Sequence, residues 1–110
     1  NEGVSRFEVT QKRGIRWSAA RAFLDPVRSR PNLTIITGAL VRRVLFEGRR
    51  ATGVEFEQEG VIRQVNARAE TVLAAGAIGS PQILQLSGVG PAALLKEHGI
   101  PVVLELPVGE

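Results

Sequence analysis

Side chains able to do acid–base, nucleophilic or metal chemistry are sparse in this chain of 110 residues, which has one histidine, His98, and no cysteine. Without cysteine there is neither a disulfide nor a thiolate metal ligand. Glu55, Glu57 and Glu59 alternate along one segment, the pattern of a solvated strand face rather than a metal cluster. His98 directly precedes Gly99, and in the last turn of a short helix a partial positive charge suits the helix dipole. A Ser-His-Asp triad would need that histidine beside Asp25 and a serine, and no local signature brings them together. These residues give no catalytic and no metal-ligating assignment. What remains is backbone chemistry. Gly76-Ala77-Ile78-Gly79 and Gly88-Val89-Gly90 bracket an apolar helical stretch, and glycine turns let backbone N–H groups approach a bound nucleotide. Neither is a GxGxxG following a first strand. Singly, each reads as helix punctuation as readily as a phosphate cradle.

The elements that would position such a turn are legible around it. Thr71–Ala75 is apolar on both faces, as expected of a strand covered inside a parallel sheet. Gly76 makes the sharp turn. The helix is expected to begin at Ser80, whose hydroxyl would accept from the first free N–H groups, with Pro81 at the first helical position. Gly88 and Gly90 would supply the positive φ that ends it, and Pro91 forbids continuation.

Upstream, Phe7 and Val9 alternate in a candidate edge strand over residues 1–10, and Gln11-Lys12-Arg13-Gly14 is a polar turn. Trp17–Leu24 reads as a helix capped by Ser18, with Ala20, Phe23 and Leu24 on one face, interrupted by Asp25-Pro26. Leu33–Thr37 is β-branched and is expected to be a second covered strand. Leu40–Phe46, Thr52–Glu59 and Val61–Ala69 are three antiparallel strands joined at Glu47–Arg50 and Glu59-Gly60, a meander. Val54 and Phe56 share the inner face of the middle strand. Ala92–His98 is a short helix, and Pro101–Leu104 a last extended segment.

The net charge is +3, carried by arginines scattered among glutamates, and the few aromatics do not interleave with a basic run. That is a solvated surface, not a nucleic-acid footprint. No apolar run reaches the roughly 20 residues of a membrane span, and no secretory leader is expected. The absence of cysteine weakly favours the cytoplasm. There is no methionine, so Asn1 is expected to be a processed or cleaved start and the chain a piece of a longer protein.

Taken together the segments resemble one family. Ala74–Pro91, AAGAIGSPQILQLSGVGP, closely resembles the second signature of the glucose–methanol–choline (GMC) flavin oxidoreductases, choline dehydrogenase-like in flavour. Gly14–Pro26, Arg30–Phe56 and His98–Glu110 resemble further stretches of that family, in family order. The resemblance implies a fold of α/β class (an α+β fragment). It would be part of an FAD/NAD(P)-binding Rossmann-like domain with a three-stranded antiparallel β-meander crossover.

It implies FAD as cofactor and a small alcohol as substrate of the parent, with hydride transfer from the alcohol to the flavin. The GxGxxG strand–turn–helix would lie upstream and the histidine base downstream, so residues 1–110 would be a partial FAD-binding domain, inactive alone. By position, Val41 resembles the valine whose backbone contacts the adenine. Ala75, Gly76 and Ala77 resemble the strand end passing beside the cofactor. Two other readings stay open: a piece of another dinucleotide-binding enzyme, and a non-enzymatic α/β interaction module. Exposed strand or apolar faces would let the fragment self-associate, and peripheral membrane association of the parent stays open.

Overall fold

A computed structural model describes residues 3–4 and 8–109. The chain divides into two compact units, Asn1–Ile36 and Thr37–Glu110.

In the first unit, β1 (Gln11–Lys12) and β2 (Ile15–Arg16) form a two-residue hairpin. Its turn, Arg13-Gly14, has positive φ at both positions (53° and 76°), the mirror-image turn whose twist suits a hairpin. The polar stretch read as a turn is therefore the centre of a hairpin. Phe7 of the expected edge strand lies outside the described residues, and Val9 lies in no strand.

The helix expected over Trp17–Leu24 is not a regular α-helix. Ala20–Leu24 is a wide π-type turn closed by Asp25 N–H on the Ala20 carbonyl, and Asp25–Val27 tightens into a 3₁₀ turn. Pro26 is the reason. It has no N–H to give the Ala22 carbonyl four residues back, and its ring would collide there, so the α ladder cannot run through it. Phe23, expected on the buried face, is 73% exposed. The Ser18 hydroxyl accepts from Arg21 N–H at 3.4 Å, a weak version of the expected cap. Leu33–Thr37, expected to be a covered strand, forms no strand among the described residues, and Ile35 and Ile36 are exposed.

The second unit is built on the meander: β3 (Ala39–Glu47), β4 (Arg50–Gln58) and β5 (Val61–Asn66), antiparallel and in that order. Glu59-Gly60 closes β4–β5 with φ of 53° and 77°. Val44 pairs with Val54 and Val41 with Phe56, while Arg43 opposes Glu55 and Leu40 opposes Glu57. The alternation along the middle strand thus sorts the faces as its sequence requires. Two register shifts, between Val41 and Arg43 and between Leu45 and Phe46, mark bulges in the β3–β4 ladder.

Beyond the sheet run α1 (Gly76–Leu86), β6 (Val89–Gly90), α2 (Ala92–Glu97) and β7 (Leu104–Glu105). The helix α1 lies against β3 and β6. Among the described residues the buried apolar side chains are Val44, Phe56, Val89 and Leu95. β6 and β7 pair in parallel, Val89 with Leu104 and Gly90 with Glu105, with α2 as the crossover. This short parallel pair was not expected, because two residues carry no readable period.

Two expectations around α1 need correction. Thr71–Ala75 is not a covered strand: it has no regular secondary structure and is largely exposed, Val72 to 78%. A parallel strand exists only by pairing, and among the described residues nothing pairs with it. α1 also begins at Gly76, not Ser80, which leaves Pro81 inside it. There its missing N–H leaves the Ala77 carbonyl, four residues back, without its helical donor, a loss confined to the N-terminal half of the helix.

Candidate functional site

The N-terminus of α1 is built from small residues. Ala75 sits at the capping position and has no side chain able to cap. Gly76 follows at φ +85°, and a β-carbon there would meet nothing within 4 Å. The expected Ser80 cap operates in reverse: its hydroxyl accepts from Ala75 N–H at 3.0 Å, just outside the helix. Among the described residues, the first helical N–H groups of α1 therefore have no side-chain cap from the N-cap position and no carbonyl partner within the helix. Nor is there an acidic residue in the first turn, so the positive end of the helix dipole is uncompensated. Ala75, Gly76 and Ala77 are all exposed. Just before them, Thr71 Oγ1 is buried without a hydrogen-bond partner.

Val41 lies on β3 next to the first bulge, half-buried, opposite Phe56. With Leu40, Arg42 and Arg43 it lines a groove closed by Gln82, Ile83 and Leu86 of α1 and by Glu55 and Glu57 of β4. The structure therefore places Ala75–Ala77 at one end of α1 and Val41 along its side. It brings them onto two packed elements, not into one cluster; no residue of Ala75–Ala77 lines the groove.

The groove carries matched charge. Glu55 accepts from Arg43 Nε and Nη2, both at 3.1 Å, and from Gln64 Nε2 at 3.1 Å. The Arg43 bonds, then Gln64, hold its carboxyl below the usual carboxylate range. Arg42 pairs with Glu57 at 3.3 Å, with both side chains substantially exposed.

At the other end of α1 stand Ser87 and Gln85, which local reading did not single out. Ser87 Oγ accepts from the Val44 N–H of β3 at 2.8 Å and donates to the Ile83 carbonyl. Gln85 Nε2 donates to the Val108 carbonyl at 2.7 Å. Gly88 has φ +87°, and a β-carbon on it would sit 2.4 Å from the Pro101 carbonyl oxygen. Gly90, expected to share the positive φ, does not have it; it packs against Gln85 and Leu95. A serine at the end of an apolar helix, four residues beyond a carbonyl it can bond, is the only signal that pointed to Ser87. His98 follows α2 as its C-cap and is exposed, with Gly99 next at φ +67°. Among the described residues no helix is long and apolar enough to cross a membrane.

The family model for GMC oxidoreductase matches residues 1–110. Alcohol dehydrogenase [acceptor] of Pseudomonas putida is 55% identical over 108 residues, covering 96% of this chain and 20% of that protein. Oxygen-dependent choline dehydrogenase of Brucella anthropi is 49% identical over 106 residues, 96% of this chain and 19% of that one. Among solved structures, an FAD-dependent oxidoreductase from Chaetomium thermophilum superposes with a TM-score of 0.80 at 46% identity, over 84% of this chain and 16% of that one. Pyridoxine 4-oxidase from Mesorbium loti gives 0.80 at 39% identity, over 88% and 19%. The chain thus spans about a fifth of the length of the curated relatives it matches.

Proposed function

Since this chain belongs to the GMC oxidoreductase family, we propose that it supplies the adenosine side of an FAD site in an alcohol-oxidising enzyme. The relatives named for alcohol and choline oxidation support the reaction class, and the FAD-dependent structural neighbour supports the cofactor. The observation that carries the reading is the uncapped start of α1. Small exposed residues and free N–H groups there leave room and donors for a polar, anionic ligand. FAD, when bound, supplies the acceptor for the hydride lost by the alcohol carbon.

In this reading Ala75, Gly76 and Ala77 let the cofactor approach the backbone closely, a side chain there being an obstacle. Val41 presents strand backbone to the adenine, and the adjoining bulge gives that strand its local direction. The ion-paired Arg43 and Glu55 hold β3 to β4 beneath it. None of these residues moves a proton. The lone histidine stands at the C-cap of α2; on this reading the 110-residue chain by itself neither retains FAD nor oxidises alcohols.

Replacing Ala75 by Leu in the full-length protein tests the site. Flavin fluorescence should report weaker FAD binding, by about tenfold for a side chain that obstructs one close contact. Unchanged affinity would sink the assignment. For the isolated chain, mixing with FAD and desalting should leave no flavin absorbance with the protein.

A further inference from the structure

We propose that Ser87 is a positioning residue for this cofactor site: its hydroxyl locks α1 to β3 and so holds Ala75–Ala77 in place relative to Val41. The inference rests on the adenosine-side reading above and goes beyond it, because Ser87 lies at the opposite end of the helix from the small residues.

Ser87 is a buried polar residue, 8% exposed. Its oxygen does two things at once. It accepts from Val44 N–H on the edge of β3 that faces no other strand, and it donates to the Ile83 carbonyl in the last turn of α1. An edge N–H buried without such a partner would cost the desolvation of that group. The bond therefore does for β3 what a neighbouring strand would do. Val44 is three residues from Val41, across the bulge, so the tie fixes the strand close to the point where the cofactor reading needs it.

The helix cannot slide to compensate. Gly88 follows at positive φ, with no space for a β-carbon beside the Pro101 carbonyl. Its own carbonyl accepts from Val103 and Leu104 N–H at 2.8 and 3.2 Å. The C-terminus of α1 is thus clamped to β3 by Ser87 and to the approach to β7 by Gly88. α1 has 11 residues and is about 16 Å long, so a tilt of about 4° at that clamp moves Gly76 by about 1 Å. Displacements of that size decide whether a bound group meets its donors.

The test uses the full-length holoenzyme and its deflavinated form, with FAD as the probe. Ser87→Ala should weaken FAD binding about threefold to tenfold, the equilibrium worth of one neutral hydrogen bond. Leu95→Ala, which opens a cavity under α2 without touching the tie, serves as the stability control. It should lower Tm at least as much and leave FAD affinity within about twofold. A Ser87→Ala protein that binds FAD as the wild type does, or a Leu95→Ala protein that loses as much affinity, overturns the proposal.

A measurement on unmutated protein covers the case in which Ser87→Ala does not fold. If the tie and the cofactor site are coupled, the coupling is reciprocal, and removing FAD should speed amide exchange at Val44. Exchange that ignores FAD overturns the proposal. Should Ala75→Leu leave FAD affinity unchanged, the adenosine-side reading itself has failed. Should Ala75→Leu weaken binding while Ser87→Ala does not, only the role of Ser87 has failed.

Discussion

Glu55 shows how a surface pattern becomes a structural tie. Its side chain is only 12% exposed, although it belongs to the alternating glutamates whose spacing marks a wet face. Arg43 grips both carboxylate oxygens and Gln64 adds a third bond from β5, so one residue links all three strands. Because the fold lowers its pKa, the ionised form is favoured more in the folded than in the unfolded chain. The contribution is present above the unfolded carboxylate range and is lost as pH falls through the lowered, folded value. Urea midpoints taken along a falling pH series should therefore drop more in the wild type than in Glu55→Gln. Parallel curves for the two proteins would show that the bonds add nothing. The alternation located Glu55 on its face. It could not name Arg43 as the partner, because that depends on a bulge in β3 that carries no sequence mark.

The meander is where local pattern and outcome agree best, since alternation and turn residues both act over a few positions. Gly53 adds a constraint that the pattern does not carry. It lies on β4 opposite Leu45 and Asn66, and a β-carbon there would stand 2.1 Å from the Val65 carbonyl oxygen. That carbonyl is backbone of a paired strand and cannot swing aside. Gly53→Ala should cost about 1–3 kcal/mol through forced displacement of β5, read as a lowered thermal or urea midpoint. No change would mean that β5 yields freely. Local reading fails at the helices for a related reason. The turns around Pro26 and the start of α1 were both placed by side-chain preference. In the fold, Pro26 falls where the helix widens and then tightens, whereas Pro81 lies inside α1 and leaves the Ala77 carbonyl without its helical donor.

At the scale of the whole molecule, the unusual feature is apolar surface. Val61, Ile62 and Val65 of the outer strand β5 are about half exposed, on both of its faces. β5 also offers a free edge. Such an edge is a template for another chain. The isolated 110 residues should accordingly self-associate as concentration rises, seen by light scattering after size exclusion. Ile62→Lys should reduce the effect. A clean monomer at high concentration would argue against it. The relatives are about five times as long, and we expect the same surface to be covered in a full-length protein.

By itself the sequence determined the meander and its turns, the faces of its middle strand, and the family. Each is written either in short-range alternation and turn residues or in a long specific string. The tertiary structure alone decided which edge atoms are satisfied by Ser87, that Val89-Gly90 pairs with Leu104-Glu105, and that Thr71–Ala75 stands unpaired. Those outcomes depend on what lies across space from a residue. A covered strand and an exposed one can share the same letters when pairing and burial come from partners distant in the chain.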